Sequence, residues 1–184
     1  MNGKKIVVAG VGGQGVLILS KIIAHAAYSL GLDVKMTQTL GMAQRGGCVS
    51  SHIKYGGKIF SSKIAYGEAD LLLGLEPLEA LRSLPYLRED GTCFCELNPL
   101  WTPGYPPLDE VIGSGEKQGV QFYDLLSLAV QAGDSRYKNT VLCGIGQVSL
   151  DLPEEALIES IRAATPRHAE GNIKAFHLGR NLDV

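Results

Sequence analysis

Hydrophobic positions come in short runs separated by glycine-rich breaks, and the period of each run predicts an element. Lys5–Ala9 is apolar and β-branched and stops at Gly10, as a buried strand does. From Gln14 to Leu30 the pattern is helical and apolar nearly all round, and Gly31 stands where a C-cap is needed. Val34–Thr37 reads as a second strand, followed by a polar, glycine-bearing loop from Gln38 to Gly47. Cys48–Tyr55 and Lys58–Ile64 flank Gly56-Gly57, which predicts a two-residue hairpin. Asp70–Leu75 is a continuous apolar strand, and Pro77 opens a helix expected to reach about Leu87. Asp90-Gly91 predicts a turn into a strand at Thr92–Leu97, and the four prolines between Asn98 and Pro107 mark an extended loop. Val120–Tyr123 is the last expected strand. Helices are expected over Asp124–Ala132, Asn139–Leu150, Pro153–Ala164 and His168–Asn181. This order is that of an α/β, Rossmann-like domain: an open, mostly parallel sheet with helices on both faces and one inserted antiparallel hairpin.

Composition narrows the picture. With 184 residues, 45% of them hydrophobic, the chain suits a single domain, 1–184, whose core needs no disulfide or structural zinc. Lys and Arg number 17 against 19 Asp and Glu, a net charge of -2, which argues against nucleic acid as the partner. The N-terminus has lysines before an apolar stretch, but Gly10, Gly12, Gly13 and Gly15 break the helix that a secretory signal requires. Val16–Tyr28, interrupted by Lys21 and His25, is shorter than the ~20 residues that cross a bilayer. The expectation is a cytoplasmic protein without membrane contact. Cys48, Cys93, Cys95 and Cys143 contain no C-x-x-C pair, so no metal is expected. Cys93 and Cys95 share one face of a strand and are read as buried thiols, with a two-ligand site as the other reading.

The candidate chemistry lies in two glycine clusters. Gly10-Val11-Gly12-Gly13-Gln14-Gly15 has the G-x-G-x-x-G spacing, after a strand and opening a helix. In such a loop the first glycine permits a tight turn, the second a close ligand approach and the third close helix–strand packing, while bare N–H groups favour an anion. A dinucleotide site also wants an acidic residue ending the second strand, yet that strand ends Met36-Thr37-Gln38, with Asp33 at its beginning. No Walker pattern is present. The second cluster, Gly41-Met42-Ala43-Gln44-Arg45-Gly46-Gly47, follows the second strand and is expected to meet the first at the carboxyl edge of the sheet. There Arg45 would bring a forked cation, Gln44 a donor and acceptor, and Gly46 and Gly47 room for another backbone. The bland reading of this loop is a solvated one whose Arg45 pairs with a surface carboxylate. His52 is expected on a polar strand face, His25 packed within its helix, and Glu76 near the crevice without a paired base. No self-sufficient catalytic set emerges.

Gly10-Val11-Gly12-Gly13-Gln14-Gly15-Val16 and Gly41-Met42-Ala43-Gln44-Arg45-Gly46-Gly47, with Asn139-Thr140, Leu152-Pro153-Glu154-Glu155 and Asn172, Ala175-Phe176 and Gly179, carry a family likeness. The chain resembles the gamma-type chains of 2-oxoacid:ferredoxin oxidoreductases over essentially its whole length. The likeness is greatest to the branch of small (beta) subunits acting on indolepyruvate or other arylpyruvates. The resemblance implies a subunit of an enzyme that oxidatively decarboxylates a 2-oxoacid, forms an acyl-CoA and reduces ferredoxin. It places thiamine diphosphate, magnesium and iron–sulfur clusters on a large (alpha) partner subunit, with coenzyme A as co-substrate and none of these cofactors bound by this chain alone. It further implies that Gly12, Gly13, Gln14 and Arg45 line the face toward the partner and the thiamine or coenzyme A region. Without its partner the chain is expected to be able to self-associate. Two other readings stay open: an independent NAD- or ATP-binding enzyme, and a non-enzymatic interaction protein.

Overall fold

A computed structural model describes residues 3–41 and 47–182. Its strands are β1 (Lys4–Val11), β2 (Asp33–Leu40), β3 (Cys48–Gly56), β4 (Ala69–Gly74), β5 (Leu87–Glu96) and β6 (Val120–Tyr123). Its helices are α1 (Val16–Ser29), α2 (Pro77–Ser83), α3 (Leu108–Lys117), α4 (Leu125–Ala132), α5 (Lys138–Leu150), α6 (Glu154–Ala164) and α7 (Ala169–Arg180). The strands form one sheet in the order β2-β3-β1-β4-β5-β6. The pairs β1–β4, β4–β5 and β5–β6 are parallel, whereas β3 runs antiparallel to both β1 and β2. This is the mostly parallel α/β architecture expected.

β1 lacks alternation because it is buried on both sides. Ile6 and Val8 enter a large core with α1 and α5, while Val7 and Ala9 enter a smaller one with Ala80 of α2. The chain leaves β1 toward the first face through α1 and leaves β4 toward the other through α2. The sheet therefore has a topological switch point between β1 and β4, at whose carboxyl edge Leu75 N–H donates to the Ala9 carbonyl at 2.8 Å. The closing helices cross through glycine. A Cβ on Gly144 would lie 2.0 Å from the Phe176 carbonyl oxygen, and one on Gly179 would lie 2.1 Å from that of Val141. The backbones of α5 and α7 thus touch directly.

Several expectations are corrected. The antiparallel hairpin is β2–β3, closed by Gly41 N–H donating to the Cys48 carbonyl at 2.7 Å; Lys58–Ile64 is not a strand. Both edges of β3 are already paired, so a strand after Gly56-Gly57 has nothing to join. Side chains hold that segment instead: Ile59 N–H donates to Asp33 Oδ2, and Ile64 N–H to His52 Nδ1. His52 is accordingly buried, not on a polar face. Burial, then the nearby Lys63 and Lys54, push its pKa below the ordinary value. His25 is exposed, its Nδ1 2.9 Å from Ser160 Oγ on α6. Asp90-Gly91 is not a turn but lies within β5, beside the β4–β5 register shift, where a Gly91 Cβ would strike Leu87 and the Ala69 carbonyl. β2 runs on to Leu40, into the expected loop. Helix α3 was not expected, because Gly113 and Gly115 mask its pattern; a Gly115 Cβ would sit 2.6 Å from Phe122 Cζ.

Candidate functional site

The turn from β1 to α1 is held by Gln14. Its Oε1 accepts the Val11 N–H at 2.8 Å, and its own N–H donates to the Val11 carbonyl at 3.1 Å. The glycines share their tasks differently from the spacing rule. Gly13 (φ 97) and Gly15 (φ 90) supply the left-handed turn. Gly10 supplies close packing instead, since a Cβ there would lie 3.0 Å from Val16 Cγ2 and 3.1 Å from Leu75 Cβ. Gly12 meets the chain's own backbone, its N–H donating to the Gly47 carbonyl at 3.0 Å. That bond ties the turn to the end of the β2–β3 connection, and Gly12, Gly13, Gly41 and Gly47 border one groove. Gln44, Arg45 and Gly46 lie outside the described residues.

On the other side of the turn a cleft of about 560 Å³ opens between Gly13–Gly15, the start of α5 and the loop joining α6 to α7. Its lining holds Arg136, Lys138, Arg167 and His168 and no carboxylate, although Arg136 is already paired with Asp134 at 2.6 Å. Three helices begin here, α1, α5 and α7, and at none does an N-cap side chain accept a backbone N–H. Uncapped helix starts present bare N–H groups and the positive end of the helix dipole. Basic residues at such ends oppose the dipole preference, and an anion relieves both. Asn139 also lines the cleft at 4% exposure. Its Nδ2 would be 2.8 Å from a Gly15 Cβ, so only glycine fits where the turn crosses the start of α5. Bare helix starts beside basic side chains suit an anion.

Glu76 belongs to the fold rather than to the cleft. It is buried, caps α2 by accepting the Glu79 N–H at 2.9 Å, and accepts the Tyr105 hydroxyl at 2.6 Å. Burial and that bond push the Tyr105 pKa up. Cys93, Cys95 and Cys143 are buried, which pushes the Cys93 and Cys143 thiols up to about 12 and Cys95 well above its ordinary value. Among the described residues no group of three or more His, Cys, Asp or Glu side chains could hold a metal ion. These residues do not fit a cluster or a metal-bound thiamine.

The strand order also bears on nucleotide binding. β3 stands between β1 and β2, so the end of β2 is two strand spacings, about 10 Å, from the glycine turn. A carboxylate there could not serve a ribose held at the turn, and the strand ends Thr39-Leu40 without one. Arg136, Lys138, Arg167 and His168 were missed as site residues. Their signal was basic residues placed just ahead of or at predicted helix starts. No helix among the described residues is long and apolar enough to cross a membrane.

Comparison with known proteins bears on this arrangement. A family model described as pyruvate ferredoxin/flavodoxin oxidoreductase matches residues 5–182. The chain is 38% identical over 186 residues to the indolepyruvate oxidoreductase subunit IorB of Methanothermobacter thermautotrophicus, covering 95% of this chain and 94% of that protein. It is 36% identical over 191 residues to the subunit of the same name from Archaeoglobus fulgidus, covering 97% and 94%. The crystal structure of the keto/oxoacid ferredoxin oxidoreductase gamma subunit from Geobacter sulfurreducens matches with a TM-score of 0.71 at 25% identity, over 96% of each chain. Because the family model extends from Lys5 to Leu182, nearly the whole of the sequence, the chain belongs to the pyruvate ferredoxin/flavodoxin oxidoreductase family.

Proposed function

We propose that this chain is the small subunit of a 2-oxoacid:ferredoxin oxidoreductase of the indolepyruvate branch, and that its basic cleft receives the phosphate end of coenzyme A. In the reaction, an arylpyruvate, coenzyme A and two oxidised ferredoxins yield an acyl-CoA, carbon dioxide, two reduced ferredoxins and a proton. Thiamine diphosphate, magnesium and the clusters that carry the electrons are assigned to a larger partner subunit, where thiamine supplies the carbanion chemistry. This chain's residues bind and orient. Bare N–H groups at Gly13 and Gly15 and at the starts of α5 and α7 donate to phosphate oxygens, and Lys138 and Arg167 neutralise their charge. Arg45, with Gln44 and Gly46, is assigned a role in binding the partner or a phosphate or carboxylate.

One observation carries the reading: a cleft lined by Lys138 and Arg167 with no carboxylate in its wall, at three uncapped helix starts, in a member of this family. Leu17 and Ile18, 37% and 41% exposed on the first turn of α1, give the partner an apolar foothold beside the glycine turn. The test is native co-purification followed by steady-state kinetics of the complex. A large chain bearing thiamine diphosphate should co-elute, and Arg167→Ala should raise the KM for coenzyme A roughly tenfold with kcat and the KM for indolepyruvate unchanged. An unchanged KM for coenzyme A overturns the cleft assignment, and tight adenine-nucleotide binding without a partner favours an independent enzyme. Arg45→Ala, if it altered neither assembly nor turnover, would remove that residue from the site.

A further inference from the structure

A buried carboxylate lies beneath the cleft. Glu96 ends β5 and is fully buried. Its Oε1 accepts both the Asn98 N–H at 3.0 Å and the Asn98 Nδ2–H at 3.1 Å. Its Oε2 has no hydrogen-bond partner and lies 3.3 Å from Lys138 Nζ, an ion contact without hydrogen-bond alignment. Lys138 is the first residue of α5, its side chain is 20% exposed, and it lines the cleft. A carboxylate with a bare buried oxygen is costly, and a pair of apolar residues would serve the core at least as well. The ammonium meanwhile starts a helix, the end at which a cation is least favoured. Neither group sits where stability alone would place it. What the pair achieves is direction: Glu96, anchored by Asn98, holds the Lys138 ammonium at the rim, and that ammonium keeps its N–H donors for something in the cleft.

We propose that Glu96 is a positioning residue for anion binding, acting solely through Lys138. The inference rests on the reading of the cleft as the phosphate subsite for coenzyme A and adds the element that sets its geometry. It makes a prediction of opposite sign to simple electrostatics. Removing a negative charge beside an anion site should tighten binding; removing the anchor of the site's cation should weaken it.

The experiment is a double-mutant cycle on the complex, reading the KM for coenzyme A, with thermal melts to establish that each variant is folded. Lys138→Met should raise that KM roughly tenfold, and Glu96→Gln about three- to tenfold, with kcat and the KM for the 2-oxoacid unchanged. In the Lys138→Met background, Glu96→Gln should change the KM less than about twofold, the non-additivity of residues acting as one unit. A lower or unchanged KM in Glu96→Gln overturns the proposal, and so does a full effect that persists without Lys138. If Lys138→Met and Arg167→Ala both leave the KM unaltered, it is the cleft reading itself that fails. Should Glu96→Gln not fold, Glu96→Asp, which withdraws the charge by one methylene, takes its place under the same criteria.

Discussion

The glycine turn offers a matched pair of substitutions that separates backbone strain from crowding. Gly13 and Gly15 have nearly the same left-handed backbone, φ 97 and φ 90. A Cβ on Gly13 meets nothing within 4 Å, whereas one on Gly15 would lie 2.8 Å from Asn139 Nδ2, 2.9 Å from Cγ and 3.1 Å from Cβ. Gly13→Ala should therefore cost only the left-handed penalty of an alanine, about 1–2 kcal/mol. Gly15→Ala adds overpacking against a buried side chain at the start of α5, about 1–3 kcal/mol more. Alanine also restricts the unfolded chain, but equally at both positions, so that contribution cancels in the comparison. Urea unfolding of the full chain, with midpoint and slope compared, reads the difference directly. Replacing Asn139 by alanine in the Gly15→Ala chain should recover part of the extra loss, since Cγ and Nδ2 go while Cβ remains. Equal losses for Gly13→Ala and Gly15→Ala would refute the view that the turn is locked against α5.

Other outcomes follow from the same structure. Gly144→Ala should destabilise by about 3 kcal/mol or more, because its Cβ would fall 2.0 Å from a backbone oxygen of α7, and thermal denaturation would show it. In the folded chain at pH 8, iodoacetamide should modify only Cys48, which is exposed, and reach all four cysteines only on unfolding; mass spectrometry counts the adducts. The Cys93 and Cys143 thiols are raised to about 12 in the fold, so the unfolded chain loses those protons first, near the ordinary thiol value of about 8.5. Their contribution is complete below that value and is lost as pH climbs toward 12, so stability should decline across that window. His52 acts at the acid end. Its pKa is lowered, so the unfolded chain takes the proton first below about 6.5, and the benefit of the neutral ring is lost as pH falls from there through the folded value. His52→Gln should flatten this acid limb in denaturant midpoints measured against pH.

The alternation of buried strands and amphipathic helices, and the glycine spacing after the first strand, were legible because each depends on residues close together in sequence. The last three helices were placed to within a residue or two for the same reason. Helix α3 was hidden, because its two glycines mask the helical pattern, and Gly115 answers to Phe122 and Leu81 across space rather than to helix propensity. The hairpin was assigned to the wrong pair of segments because Gly56-Gly57 is a valid turn signal whose outcome depends on whether β3 still has a free edge, and β1 had taken it. The segment's own hydrogen bonds then went to Asp33 and His52, choices that no local pattern announces.

The site divides along the same line. Family membership and the glycine turn reside in contiguous motifs, which survive being read as a string. The basic cleft does not, because Gly13–Gly15, Lys138 and Arg167 are joined only when α5 and α7 cross through glycine and deliver their starting ends to the edge where β1 stops. Sequence alone determined most of the elements and the glycine turn, since backbone conformation and burial period are local properties. Tertiary structure alone decided which basic residues face that turn and which buried carboxylate stands beside one of them, because charge acts over a few ångströms of space and not along the chain.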